Sequence, residues 1–279
     1  MDSTSPKILY GTAWKKNKTK DLVVSALKHG FTGVDTACQP RHYNEKGVGE
    51  ALATLSPSER NKIFIQTKFT PIGGQDLDTI PYDPSASIAT QVEQSFSMSQ
   101  KNLGIETIDS LILHSPLDSF QETVEAWRSM ESLIEKGLVK QLGISNCYAP
   151  AFFKKLYTEV KNKPKVIQNR FIAETEYDRE IRAFCSEKAI VYQGFWTLSA
   201  NQHIVQSKRL QQLAKEREKT PAQLFFRYLI QKKITPLIGT CCETHMQEDI
   251  AVLHFELNNE ETNYIDFFFP DTPHQTLFL

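Results

Sequence analysis

No stretch of this chain approaches the roughly 20 consecutive apolar residues that span a bilayer, so no transmembrane helix is expected. The opening, MDSTSPKILYGTAW, lacks the apolar core of a secretory signal, and a cytosolic location is the expectation. The five cysteines are an odd number with no CxxC pair, which reads as reduced thiols rather than a disulfide frame. No long run of one charge sign occurs and the net charge is −1, which disfavours a nucleic-acid or membrane-surface partner. The glycine-rich phosphate turn of an open dinucleotide-binding sheet is missing, because the first strand is followed by GTAWKKNKT. A GxSxG elbow is also missing, which weakens a hydrolase reading. No HxxxH or HxH cluster offers a metal site.

What is present is an ordinary globular composition, 40 % hydrophobic and 23 % charged over 279 residues. Short, mostly apolar runs recur at 7–13, 33–38, 63–69, 110–116, 141–146, 166–171, 189–195 and 235–240. Such runs are expected for strands covered on both faces. Helical patterns lie between them. Ile88, Val92 and Phe96 form one apolar stripe, and Val124, Trp127, Met130 and Ile134 another. Thr220-Pro221-Ala222-Gln223 reads as a capping box with proline in the first turn. Gly30, Gly104 and Gly137 stand where C-cap glycines belong. Eight strand–helix units in about 250 residues predict a closed (β/α)₈ barrel of the α/β class. We expect a single domain over 1–279, with 70–84 a long βα loop and an extension from about 255 that packs one extra helix.

Such barrels carry their chemistry on residues that end the strands. Here Asp35 ends strand two, Lys68 strand three and His114 strand four. Ser145 and Asn146 end strand five, Gln168 and Asn169 fall late in strand six, and Gly239-Thr240 ends strand eight. Taken singly, an aspartate there is often a turn former, a lysine a solvated charge and a histidine a packed core residue. A closed barrel turns all of these ends toward one mouth, and that convergence gives them a shared role.

At these residues the sequence resembles the aldo-keto reductases. GVDTA at 33–37 followed by YNEKGVG at 43–49, TKF at 67–69, LHSP at 113–116 and LVKQLGISN at 138–146 match the family's motifs in order. The resemblance runs from about residue 8 to about residue 256. It implies a reductase in which a nicotinamide cofactor supplies hydride to a small-molecule carbonyl substrate, acting as a monomer. Tyr43 would be the general acid, Lys68 would lower the phenol's pKa, Asp35 would hold Lys68, and His114 would orient the carbonyl. Ser145, Asn146 and Gln168 match the residues that hold the nicotinamide carboxamide. Phe195 falls where an aromatic stacks on the nicotinamide ring, with its neighbour Trp196 as the alternative. Trp14, His42, Phe69 and Leu117, together with the 71–83 loop and residues from about 268, are expected to contact the substrate.

Two departures from the family pattern matter. The tyrosine stands unusually far from the aspartate, at Asp35-Thr-Ala-Cys-Gln-Pro-Arg-His-Tyr43, and alignment from Val48-Gly49 backward puts His42 in its slot. Tyr43 is preferred, because reducing an unactivated carbonyl needs a phenolic acid. On strand eight, Gly239-Thr240 replaces the usual Lys-Ser and His245 stands in the arginine slot, with Glu248 and Asp249 on the following helix. The cationic clamp on the adenosine 2′-phosphate is therefore missing. NADPH is expected as the family default, with weaker discrimination against NADH (NAD) than usual. Three alternatives stay open: an aldolase or isomerase using Lys68 as a Schiff base, a cofactor-binding regulatory module, and a relative that runs another reaction.

Overall fold

The computed structural model describes residues 5–269. Its strands are β1 (Leu9–Gly11), β2 (Gly33–Asp35), β3 (Phe64–Phe69), β4 (Ile108–Leu113), β5 (Val139–Ser145), β6 (Val166–Arg170), β7 (Val191–Phe195) and β8 (Ile234–Ile238). They pair in parallel and in chain order, and β8 closes on β1 through Leu9↔Leu237 and Tyr10↔Ile238. The closed (β/α)₈ barrel is thus as the sequence predicts. Most strands are somewhat shorter than their apolar runs, because the runs include residues that leave the sheet, whereas β4 and β5 begin two residues before theirs.

Helices α1 (Thr19–Lys28), α2 (Glu45–Leu52), α3 (Pro57–Arg60), α4 (Ile88–Leu103), α5 (Phe120–Glu135), α6 (Pro150–Glu159) and α7 (Arg179–Lys188) connect the first seven strands. The last crossover contains α8 (Gln202–Val205), α9 (Lys208–Glu216) and α10 (Pro221–Gln231). After β8 come α11 (Glu243–Ala251) and α12 (Asn259–Asp266). Local chemistry sets their limits. Ser87 caps α4 by accepting from the Thr90 amide, and Gly104 ends it at φ 64°, a left-handed position that suits glycine. Val92 and Phe96 on α4, and Trp127 and Met130 on α5, are fully buried. The Thr220–Gln223 capping box of α10 forms as expected, and Ser119–Glu122 makes another on α5. Beyond 255, α12 is the extra helix, and its Asp266 accepts from the Tyr228 hydroxyl at 2.7 Å. The expected substrate contacts after 269 lie outside the described residues. Among those described, no helix is long and apolar enough to cross a membrane.

The barrel interior is less apolar than the strand sequences suggest. Asp35 is in register with Gln66, Ser145 with Gln168, and Gln168 with Gln193. Residues in register on neighbouring parallel strands share a face, so these side chains form a polar layer inside the barrel. It is self-satisfied: Gln66 and Gln193 exchange amide hydrogen bonds at 2.7 and 3.1 Å.

Candidate active site

The polar layer supports the site from below. Gln66 Nε2 and Gln168 Nε2 both donate to Asp35 Oδ1, at 2.7 and 3.0 Å. The other oxygen, Oδ2, takes the Lys68 ammonium in an ion pair. Lys68 Nζ also donates to the Thr36 carbonyl at 2.8 Å. The lysine side chain is only 1 % exposed, so both charges are held out of water. Two buried charges persist in such a place because each is paired and further hydrogen-bonded.

Above the pair lies Tyr43, on the β2–α2 loop. The Gln39 carbonyl accepts from both the His42 and Tyr43 amides, at 3.1 and 3.0 Å. The extra residues before the tyrosine are thereby folded into a turn, and Tyr43 returns over the barrel. Lys68 Nζ sits 5.2 Å from the centre of the Tyr43 ring. The His114 ring is 6.0 Å from it, edge to face. His42 goes elsewhere: its Nδ1 is 2.8 Å from Gln39 Oε1, and its ring lies 4.0 Å from that of Trp14. Between the two candidates for the acid position, the fold brings Tyr43 to Lys68.

Charge and burial set the state of the three groups. The Tyr43 phenol is pushed up from its ordinary value, by burial first and by the Asp35 charge second. Lys68 is paired with Asp35, so the phenol faces an ion pair rather than a bare cation. Burial also pulls Lys68 below the usual ammonium range, against the opposing pull of Asp35. His114 is held well below the usual imidazole value by burial and then by the charges of Lys68 and His42. The site at neutral pH therefore contains a protonated phenol beside a neutral imidazole.

Tyr43 and His114 open onto a cavity of about 900 Å³ that runs to the β8 rim. Trp14, His42, Ser145, Asn146, Gln168, Phe195, Trp196, Gly239, Thr240, His245, Glu248 and Asp249 also line it. Ser145 donates to the Gln168 carbonyl at 2.6 Å, and Asn146, at φ 52°, donates to the His114 carbonyl at 2.9 Å. Both Gln168 amide hydrogens are used, one on Asp35 and one on Gln193 Oε1 at 2.8 Å. Its side-chain Oε1, distinct from the backbone carbonyl that Ser145 uses, is the atom left to offer the cavity. Trp196 is 54 % exposed, with the Arg170 guanidinium 4.4 Å from its ring centre.

Two expected substrate contacts are not in the wall. Phe69 is 2 % exposed and packs on Tyr82 in the core. Side chains alternate along a strand, so where Lys68 turns to the site its neighbour turns to the helix layer. Leu117 packs against the core, and its amide is tied to the Thr123 hydroxyl of α5 at 3.0 Å. The structure also supplies residues that the sequence did not single out. Lys15, after β1, donates to the Gly239 carbonyl and lies 3.2 Å from Cys241 Sγ. Gln66 and Gln193 carry Asp35 from beneath. Each of these contacts joins positions far apart in the chain, and no local pattern marks them.

The Aldo/keto reductase family profile matches residues 7–268. The chain belongs to the aldo/keto reductase family. Among relatives of this chain, an uncharacterised oxidoreductase of Saccharomyces cerevisiae is 28 % identical over 94 % of this chain and 89 % of its own. A glyoxal reductase of Bacillus subtilis is 26 % identical over 90 % of this chain and 83 % of its own. An aldo-keto reductase from a Medee basin deep-sea metagenome library superposes with a TM-score of 0.80 at 25 % identity, covering 94 % of this chain and 91 % of that one. The family-level oxidoreductase assignment and the barrel thus rest on agreement over nearly the whole chain.

Proposed function

We propose that this protein reduces an aldehyde or ketone to an alcohol with a nicotinamide cofactor, Tyr43 acting as the general acid. The observation that carries this reading is the convergence of a protonated phenol, a neutral imidazole and a paired lysine at one end of the cavity. Bound NAD(P)H would supply the hydride to the carbonyl carbon. Tyr43 gives its phenolic proton to the carbonyl oxygen as charge develops there. His114 donates a hydrogen bond to the same oxygen and sets its direction. Lys68 keeps a cation beneath the phenol, which favours the phenolate left after proton transfer, and Asp35 keeps that cation in place.

The residues fit such a cofactor. Gln168 retains an acceptor for a carboxamide, Ser145 and Asn146 stand beside it, and Phe195 offers a flat apolar wall next to Trp196. At the other end Gly239, Thr240, His245, Glu248 and Asp249 would meet the adenosine half. Among the described residues one buried Asp249 oxygen has no hydrogen-bond partner, and a donor on the ligand would satisfy it. With no arginine among these rim residues, we take NADPH as the cofactor with weak discrimination against NADH. The Schiff-base alternative is poorly supported, since the Lys68 amine is buried and engaged by Asp35 and Thr36. A cytosolic monomer goes with the reading; Cys38, Cys147, Cys185, Cys241 and Cys242 are all free.

The test is a carbonyl panel with NADPH and NADH, run on the native chain, Tyr43→Phe and His42→Asn. Tyr43→Phe should lower kcat by about 10²- to 10⁴-fold, the range of a lost general acid, with cofactor binding kept. His42→Asn should change kcat far less. A large loss in His42→Asn with an active Tyr43→Phe would transfer the acid role to the histidine. Absence of turnover on every carbonyl would remove the reductase reading.

A further inference from the structure

Thr70 follows β3 directly, is 2 % exposed, and places its hydroxyl 2.6 Å from His114 Nδ1. We infer that Thr70 is a positioning residue: its hydroxyl donates to Nδ1 and so fixes the His114 tautomer that carries its proton on Nε2, toward the cavity. The inference rests on the reductase reading for its consequence, but not for the tautomer itself.

Hydrogen-bond accounting gives the direction. His114 is neutral, so one ring nitrogen donates and the other accepts. Among the described residues, His114 Nδ1 is the one hydrogen-bond partner of the Thr70 hydroxyl. Were Nδ1 to hold the proton, the hydroxyl would accept it and its own hydrogen would be buried without an acceptor. With the roles reversed both groups are satisfied, and Nε2–H is left for a carbonyl oxygen.

The surroundings hold this geometry from both sides. The Thr70 carbonyl accepts from the Tyr82 hydroxyl at 2.7 Å and from Gln75 Nε2 at 3.2 Å. Its methyl group packs over Gly74, where even a Cβ would come within 2.8 Å of it. With the methyl fixed there and the backbone pinned, the hydroxyl is aimed at the imidazole. On the other side, the His114 amide donates to the Phe69 carbonyl at 2.8 Å, and its carbonyl accepts from Asn146. The long 70–84 loop therefore has a use: Tyr82, Gln75 and Gly74 hold Thr70 against the site.

The experiment is ¹⁵N NMR of the full-length chain labelled at histidine, with the His114 signals assigned by their loss in His114→Asn. The native protein is expected to show His114 with a bare Nδ1 and a protonated Nε2. Thr70→Val should give a mixture of tautomers. Its kcat should fall roughly ten- to a hundredfold, short of the roughly 10²–10³ for outright removal of an oxyanion donor, with cofactor affinity unchanged. Thr70→Ser should restore both readouts. A protonated Nδ1 in the native protein, or a Thr70→Val variant with unchanged tautomer or unchanged kcat, overturns the inference. Should the native chain turn over no carbonyl while the Nε2–H tautomer is found, the reductase reading fails and the Thr70–His114 assignment stands.

Discussion

At the floor of the cavity the Asp35 carboxylate takes hydrogen bonds from Lys68, Gln66 and Gln168, whereas at the β8 rim one buried Asp249 oxygen has no hydrogen-bond partner among the described residues. The floor is built from interior strand residues locked to one another across the barrel. The rim is built from a loop and α11, where Cys241, Cys242 and His245 are exposed and Cys242 caps the helix without a side-chain hydrogen bond. The difference shows which property each end fixes. Under the proposed function, proton transfer would need groups held to within fractions of an ångström, which the floor would supply. Holding an adenosine half would need only rough complementarity, and a rim without a cationic clamp would leave its choice of phosphate loosely set.

The largest effect is expected from breaking the floor. Lys68→Met leaves the Asp35 charge buried with only amide donors, and the loss of one member of a buried pair costs about 3–5 kcal/mol. The melting temperature should fall by roughly 10 °C at 2–4 °C per kcal/mol. The double variant Asp35→Asn/Lys68→Met should recover much of that loss, because it removes both charges together. Chemical denaturation of the native chain, Asp35→Asn, Lys68→Met and the double variant measures the coupling. A Lys68→Met variant within about 1 kcal/mol of the native chain would mean that the floor is not the locked element described.

The floor was also the more legible end. Asp35, Lys68 and His114 could be named because strand ends of a closed barrel converge, a rule that needs only the order of strands. Gln66 and Gln193 were not legible: each sits inside a run that reads as apolar, and its partner lies on a strand distant in sequence. Phe69 was misread for a related reason. It was expected to contact the substrate, while strand alternation sends it to the face opposite Lys68. Tyr43 was the hardest to place. Its loop length departs from the family pattern, and only the turn built on the Gln39 carbonyl shows how the phenol returns to Lys68.

A smaller effect is expected at Lys15, the cation nearest Gly239 and Cys241. If the strand-eight clamp has been replaced in part by this lysine, Lys15→Met should weaken NADPH binding about tenfold, the equivalent of one charge-assisted hydrogen bond, and NADH binding much less. Fluorescence titration of both cofactors reads this directly. An equal loss for both would place Lys15 on the diphosphate that they share. No loss for either would leave the rim without any side-chain cation on the cofactor, widening the contrast with the floor.

The smallest effect concerns the orphaned carboxylate itself. Burial, and then the neighbouring Glu248 charge, push Asp249 up to about 7. An unfolded aspartate titrates near 3.9, so between those values the folded protein holds a proton that the unfolded chain releases. The contribution of Asp249 to stability is then full below about pH 4 and is lost as pH rises through about 7. Asp249→Asn removes that dependence. The variant should melt above the native chain at pH 8, and the gap should narrow as the pH falls through 7 and close near pH 4. A gap of the same size at both pH values would show that Asp249 stays ionised when folded. The rim would then hold its carboxylate as securely as the floor holds Asp35, and the contrast between the two ends would disappear.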